Sequence, residues 1–224
     1  MEIKLVKHDP EWKTLFKAQA REIKGALGKA CLALSHIGST AVKDIPARPI
    51  IDIVLVVNSF SVLDEKREAL EKLGYERSES SLSGMQVYNK QGEPAYKIIA
   101  LEKANRAEIE RRVAVRNYLR AYPDIAKEFS ERKIEIVEQI LDFRDYFEER
   151  DAFMEQLERD ALVWQKRQDR QSNGLALGLT VGAGLGVFLG IALDNLALGV
   201  GLGMCIGVGF GTVVSYWDTR NHTK

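Results

Sequence analysis

A chain of 224 residues is long enough for one domain with a full core and leaves room for only a small second one. Its 32 basic and 32 acidic residues cancel, which excludes both a global basic field for nucleic acid and an acidic solvating tail. The charge is unevenly placed, however. Residues 174–224 hold only Asp194, Asp218, Arg220 and Lys224, together with twelve of the 18 glycines, so two physical regimes meet near residue 173.

The N-terminus, Met1-Glu2-Ile3-Lys4, has no apolar h-region, so no cleaved signal peptide is expected and a reducing, cytoplasmic setting is the default for residues 1–173. Cys31 and Cys205 fall in different regimes, make no metal or redox spacing, and read as small apolar residues. Asp9-Pro10 has the form of an N-cap followed by proline at the first helical position. Trp12, Leu15, Phe16, Ile23 and Leu27 then keep helical spacing up to Gly28, a stop. Residues 31–37 read as a strand. Residues 50–57 (IIDIVLVV) are a β-branched run with the single charge Asp52, the composition of a buried strand. Residues 61–73 predict an amphipathic helix ending at Gly74. Gly84–Asn89 and Tyr96–Leu101 predict strands joined through Lys90-Gln91-Gly92-Glu93. Helical patterns then follow over 105–121, about 124–141 and 144–170, the last running on toward the glycine-rich segment. Strands first and helices later define an α+β domain.

The run His36–Val57, HIGSTAVKDIPARPIIDIVLVV, is where chemistry can sit. Gly38-Ser39-Thr40 follows a strand. A glycine allows close backbone approach, and free amides with two hydroxyls can hold phosphate oxygens. A loop with Arg48 follows, and then Asp52 among isoleucines and valines, where a carboxylate can bind a divalent metal such as Mg²⁺. Asp52 can equally be bonded to the Gly38–Thr40 amides or paired with Arg48. His36 is either a substrate contact or a strand histidine satisfied by its neighbours.

These residues resemble the GrpB family, whose members carry a His-Ile-Gly-Ser-Thr segment, a proline-bearing loop and a Lys-Pro-Ile-Ile-Asp strand; here the basic residue is Arg48. Asp9-Pro10-Glu11-Trp12, Arg116–Pro123 (RNYLRAYP), Phe129 to Lys133 and Tyr146 to Arg150 are similar to further family segments, in order, over about residues 3–163. The resemblance implies a nucleotidyltransferase-like mixed sheet flanked by helices, with Gly38, Ser39 and Thr40 at phosphates and Asp52 as the catalytic, metal-holding carboxylate. Arg116 and Arg120, four apart on one helix face, are either further phosphate contacts or a salt-bridged surface. The chain departs from the family pattern in three places. Val54 and Val56 stand where nucleotidyltransferases place a second carboxylate on the strand. Tyr96-Lys97-Ile98-Ile99 lacks the His-x-His pair, with Lys97 read as an exposed strand residue. Asn117 replaces an aspartate. Glu102 is a spare acid at a strand end.

Gly174–Leu193 and Asn195–Trp217 carry no charge and meet at Asp194-Asn195, a pair suited to a turn. Each half is about the length that crosses hydrocarbon. Glycines recur every four residues at 174, 178, 182, 186 and 190, and again at 199, 203, 207 and 211. Each such glycine would cost a helix in water roughly 1 kcal/mol. In a bilayer the backbone must bond to itself, and a bare stripe lets a second helix approach closely. Trp164, Tyr216 and Trp217 suit an interfacial belt, and Lys166, Arg167, Arg170, Arg220 and Lys224 flank the spans, which predicts both ends on the cytoplasmic side.

The predicted organisation is a domain over 1–163, a juxtamembrane helix end over 164–173, a transmembrane helical hairpin over 174–217 and a polar tail over 218–224. The expected partners are a nucleotide or phosphorylated small molecule and a lipid bilayer, with self-association through the glycine stripes and no nucleic acid. Three functions fit: a membrane-anchored nucleotidyl or phosphoryl transferase, a non-catalytic binder using the same pocket, and a scaffold that oligomerises through the hairpin.

Overall fold

In a computed structural model, residues 5–79, 84–139 and 143–221 are described, with side chains described outside 136–152 and 214–221. The chain divides into two compact units, Met1–Leu162 and Val163–Lys224.

In the first unit, helix α1 (Trp12–Leu27) leads into strands β1 (Ala33–Ile37) and β2 (Ile50–Val57). Two short helices follow, α2 (Phe60–Asp64) and α3 (Arg67–Lys72), then β3 (Glu76–Arg77), β4 (Gln86–Lys90) and β5 (Ala95–Glu102), then α4 (Arg106–Ala121) and α5 (Pro123–Gln139). The five strands form one sheet in the order β1-β2-β5-β4-β3. Only β2 and β5 run parallel, and the other three pairs are antiparallel. This is the mixed sheet with flanking helices that the family resemblance implies, in the α+β class that the order of strands and helices predicts.

The core follows from the alternation of β2. Ile51, Ile53, Leu55 and Val57 point to one face and pack with Ile23, Leu27, Leu63, Leu70, Tyr75 and Tyr88. Fully burying an aliphatic side chain of this size contributes about 1.5–3 kcal/mol. The other face carries Asp52, Val54 and Val56. Val54 joins Ile37, Ile99 and Leu101 in a second apolar cluster, against which Val56 and Ile109 pack. A third cluster, Val42, Ile45, Leu119, Ala126 and Leu157, closes the same side.

Three local expectations shift. Helix α1 begins at Trp12 with Glu11 as its cap residue, two residues later than the Asp9-Pro10 pattern suggests. Asp9 still accepts a backbone amide, but it is that of Glu11 (2.8 Å), and Trp12 N closes a turn onto Asp9 O (3.2 Å). The helix over 61–73 is broken at Glu65–Lys66, where Lys66 leaves helical geometry (φ −102°, ψ 8°). Strand β3 has two exposed residues and therefore no apolar signal to read.

Helix α6 (Phe143–Ala192) runs across the boundary between the units, and α7 (Leu196–Asn221) follows. Asp194 takes a left-handed conformation (φ 51°), and Asn195 Oδ1 accepts the Leu198 amide (3.1 Å), capping α7. Both helices contain 18-residue stretches long and apolar enough to cross a membrane, with mean hydropathies of 2.1 and 1.9. Within this second unit the glycine ladders face each other. A Cβ on Gly182 would land on Gly203 O and lie 2.7 Å from Gly207 Cα; one on Gly178 would lie 2.8 Å from Gly211 Cα. The opposite surface is apolar and open, with Phe188 75% and Ile191 71% exposed. Thr180 and Thr212 return their hydroxyls to their own helix, at Ala176 O and Gly209 O. The side chains of Tyr216 and Trp217 lie outside the described residues.

Not every glycine of the hairpin is needed for its closure. Gly184, Gly201 and Gly209 face open space. Gly207→Leu should separate the two helices, and Gly209→Leu should leave them paired. Disulfide trapping between cysteines placed in facing turns of α6 and α7 checks this; equal trapping in both variants would show that the ladder does not hold the hairpin.

Candidate functional site

Asp52 lies mid-strand on β2, on the α4 side of the sheet, and faces a cavity of about 500 Å³. Across that floor Asp52 is in register with Lys97 of β5, and Lys97 with Asn89 of β4. The wall above is built by Gly38, Ser39 and Thr40, by Arg48, by Arg112 and Arg116 of α4, and by Phe129 and Lys133 of α5.

The Gly38–Thr40 segment is a 3₁₀ turn over Ser39–Ala41, entered through Gly38 at φ 73°. Gly38 is required on two grounds. Its conformation is left-handed, and a Cβ there would lie 2.5 Å from Asp52 Oδ2. The carboxylate therefore packs directly onto the glycine. The turn uses the Ala41 and Val42 amides internally, on Gly38 O (3.1 Å) and Ser39 O (3.0 Å), so the Ser39 and Thr40 amides stand at its open start. Ser39 Oγ accepts from Lys133 Nζ (3.2 Å). Thr40 is buried and structural. Its Oγ1 donates to the Ile50 carbonyl (3.1 Å) and so accepts from His36 Nε2 (3.0 Å), which assigns the Nε2–H tautomer.

His36 is thus the satisfied strand histidine of the two readings. Its ring stacks on Phe16 at 4.8 Å. Burial, with the charges of Arg120, Arg116 and His8 adding to it, pushes its pKa down to about 4. Arg116 donates to the His36 carbonyl (3.0 Å) and to Asn117 Oδ1 (2.8 and 3.1 Å). Because residue 117 is a neutral asparagine, this contact leaves the Arg116 charge uncancelled. Arg120 does not line the cavity; its Nε donates to Ala41 O (2.7 Å) and ties α4 to the turn. Glu102 is occupied elsewhere, with Oε1 accepting the Phe60 amide (2.7 Å) at the start of α2.

Asp52, Arg48 and Lys97 differ from these. Among the described residues no hydrogen bond or ion pair engages their side chains, so neither the Arg48 pairing nor the amide bonding open to Asp52 is formed. Burial pushes the Asp52 carboxyl up, while Lys97, Arg48, Arg112 and Lys133 pull it the other way. Arg112 is engaged by Glu108 (2.6 Å). Glu158, the other acid on the wall, is engaged by Arg111 (2.7 Å). Cations therefore dominate the cavity, and among its described charged side chains Asp52, Arg48 and Lys97 are the ones without a hydrogen bond or ion pair.

A two-metal centre does not fit these residues. The second carboxylate position holds Val54, 1% exposed within its apolar cluster, and no group of three His, Cys, Asp or Glu side chains converges among the described residues. Lys97 and Lys133 are the site residues the residue pattern undervalues. Lys97 is half-buried on the floor rather than exposed on a strand surface. Lys133 carried a signal: Phe129 and Lys133, the ends of one of the family-like segments, are one helical turn apart and both line the cavity.

The fold and site define an α+β domain with a cation-lined cavity, joined to a glycine-laddered helical hairpin. The chain belongs to the GrpB family, whose model, described as GrpB protein, matches residues 2–160. Residues 168–216 match the model for a glycine zipper membrane protein. UPF0157 protein YqkA of Bacillus subtilis is 26% identical over 77% of this chain and 51% of its own length, so the chain spans about half of that relative. Glutamate-rich protein GrpB of Alkalihalophilus pseudofirmus is 29% identical over 70% of this chain and 94% of its own. The crystal structure of the conserved protein GrpB from Enterococcus faecalis superposes with a TM-score of 0.64 at 32% identity, covering 71% of this chain and 97% of that one.

The site predicts a pH dependence of stability. The His36 pKa is depressed from 6.5 to about 4 in the folded state, so its contribution is fully present above pH 6.5 and is lost as pH falls toward 4. The loss is at most about 3 kcal/mol. Thermal melts of wild type and His36→Gln between pH 7 and 4 check it. Glutamine keeps an N–H for Thr40 but does not titrate, so its melting temperature should fall less steeply; parallel curves would exclude His36 as the source.

Proposed function

We propose that the domain over 1–163 binds a nucleotide or another phosphorylated small molecule in the Asp52 cavity, and that the hairpin tethers this activity to a membrane. The observation that carries the reading is the set of uncommitted charges on Asp52, Arg48 and Lys97 in one cavity beside the Gly38-Ser39 turn. Charged groups left without protein partners in a partly desolvated site are costly, and a ligand with phosphate and hydroxyl groups would satisfy all three. Arg48 and Arg116 would take phosphate oxygens, and the Ser39 and Thr40 amides a further one. A nucleotidyl or phosphoryl transferase with Mg²⁺ at Asp52 is the catalytic form of this reading, and it needs a second acidic ligand, whereas Glu158, the other acid lining the cavity, is engaged by Arg111. Titration of the full-length chain in lipid nanodiscs with nucleoside triphosphates checks binding. Arg48→Gln should weaken it about tenfold. Single-turnover assays of wild type and Asp52→Asn with Mg²⁺ decide the catalytic form: turnover abolished by Asp52→Asn supports it, and saturable binding without turnover leaves binding alone.

For the hairpin we propose a full crossing, with Asp194-Asn195 on the far side and both ends cytoplasmic, from the basic residues Lys166, Arg167 and Arg170 that precede it. The glycine stripes meet within one chain, so an oligomer built on them would exchange partners between hairpins. In a Cys31→Ser/Cys205→Ser background, Asn195→Cys should react with an impermeant thiol reagent added outside intact cells. Labelling only after lysis would place the turn inside.

A further inference from the structure

The cavity floor is one row across the sheet, Asp52–Lys97–Asn89, on adjacent strands β2, β5 and β4. Register partners point to the same face, so the Lys97 side chain rises beside the Asp52 carboxylate into the same space. The position two residues along β2 is sealed by Val54 against Ile99, the residue two beyond Lys97 on β5. The polar floor therefore ends at this row and offers a single acid. A divalent cation at Asp52 would have one carboxylate and would meet Lys97 alongside, with Arg48, Arg112 and Lys133 on the surrounding walls. Like charges gathered in one partly buried cavity oppose the binding of a further cation. An anion meets the opposite situation. Lys97 and Arg48 have no described partner, and Asn117 in place of an acid keeps the Arg116 charge available to the same field.

We infer that the cavity holds the polyphosphate of a nucleoside polyphosphate directly on Lys97, with Arg48 and Lys133 beside it, and without a divalent metal. The inference rests on the phosphorylated-ligand reading above and narrows it. The Lys97 ammonium supplies at the floor the positive charge that a bound metal would otherwise bring. Asp52, the acceptor in the same row, takes a hydroxyl or amino donor from the nucleoside part of the ligand. The apolar side of the cavity, at Phe129, Phe153 and Met154, gives the base a surface to lie against, which inorganic polyphosphate alone would not use.

The test is calorimetric titration of the full-length chain in nanodiscs with ATP and, separately, with inorganic tripolyphosphate. Each is run in Mg²⁺ buffer and in EDTA, for wild type, Lys97→Gln and Lys97→Arg, with melting curves alongside. Wild type should bind both probes in EDTA at least as tightly as in Mg²⁺, and ATP more tightly than tripolyphosphate. Lys97→Gln should weaken binding about tenfold or more in EDTA, and Lys97→Arg should retain most of it. Binding that appears only with Mg²⁺ would overturn the inference and leave the phosphorylated-ligand reading standing. So would Lys97→Gln binding at wild-type strength. Should Lys97→Gln melt early, the wild-type comparison between the two buffers still decides. A wild-type chain that binds neither probe in either buffer overturns both readings together.

Discussion

The first unit depends on the alternation of β2. Its odd-numbered residues, Ile51 to Val57, are driven into the core beneath α1 and α3, and that burial forces Asp52 to the opposite face. A one-residue slip would place a carboxylate in the main core and a row of aliphatic side chains in the cavity, at a cost of several kcal/mol. The register is therefore held from both faces. With β2 set, β5 must present Lys97 at the level of Asp52, and β1 must deliver Gly38 directly over the carboxylate, where only a residue without a Cβ can lie.

The polar residues around Asp52 divide by what they have already bonded. His36, Thr40 and Arg120 hold the turn and its neighbours to one another, through Thr40 Oγ1 to Ile50 O and through Arg120 to Ala41 O. Their side chains shape the cavity and are not available to a ligand. Among the described residues, Arg48, Asp52 and Lys97 make no side-chain hydrogen bond or close ion pair, and act on one another only through the field of the cavity. This division is what the proposed recognition of a charged small molecule rests on.

The second unit obeys a different solvent. Its glycines would weaken a helix in water, but facing ladders let two backbones come close enough that no side chain fits between them, while Phe188, Ile191 and Phe210 cover the outside. Apolar surface turned outward along both helices is what hydrocarbon permits and water penalises. The match of residues 168–216 to glycine zipper membrane proteins agrees with that physics.

Much of this was legible in the residues because it depends on local periodicity. The strand at 50–57, the helix ending at Ala121, the stop at Gly28, the turn at Asp194-Asn195 and the glycine ladders are each written in the chemistry of neighbouring positions. Less local features were not legible. That Glu102 caps α2, that Arg120 and Thr40 are spent on backbone carbonyls, and that Lys97 stands on the cavity floor all depend on partners 10 to 79 positions away. The sequence by itself determined the two regimes, the alternating strand with its single acid, and the hairpin, because hydrophobic burial and backbone hydrogen bonding act through spacing. Only the tertiary structure decided which charged groups remain uncommitted, because a charge is paired or free according to what the fold brings within hydrogen-bond reach.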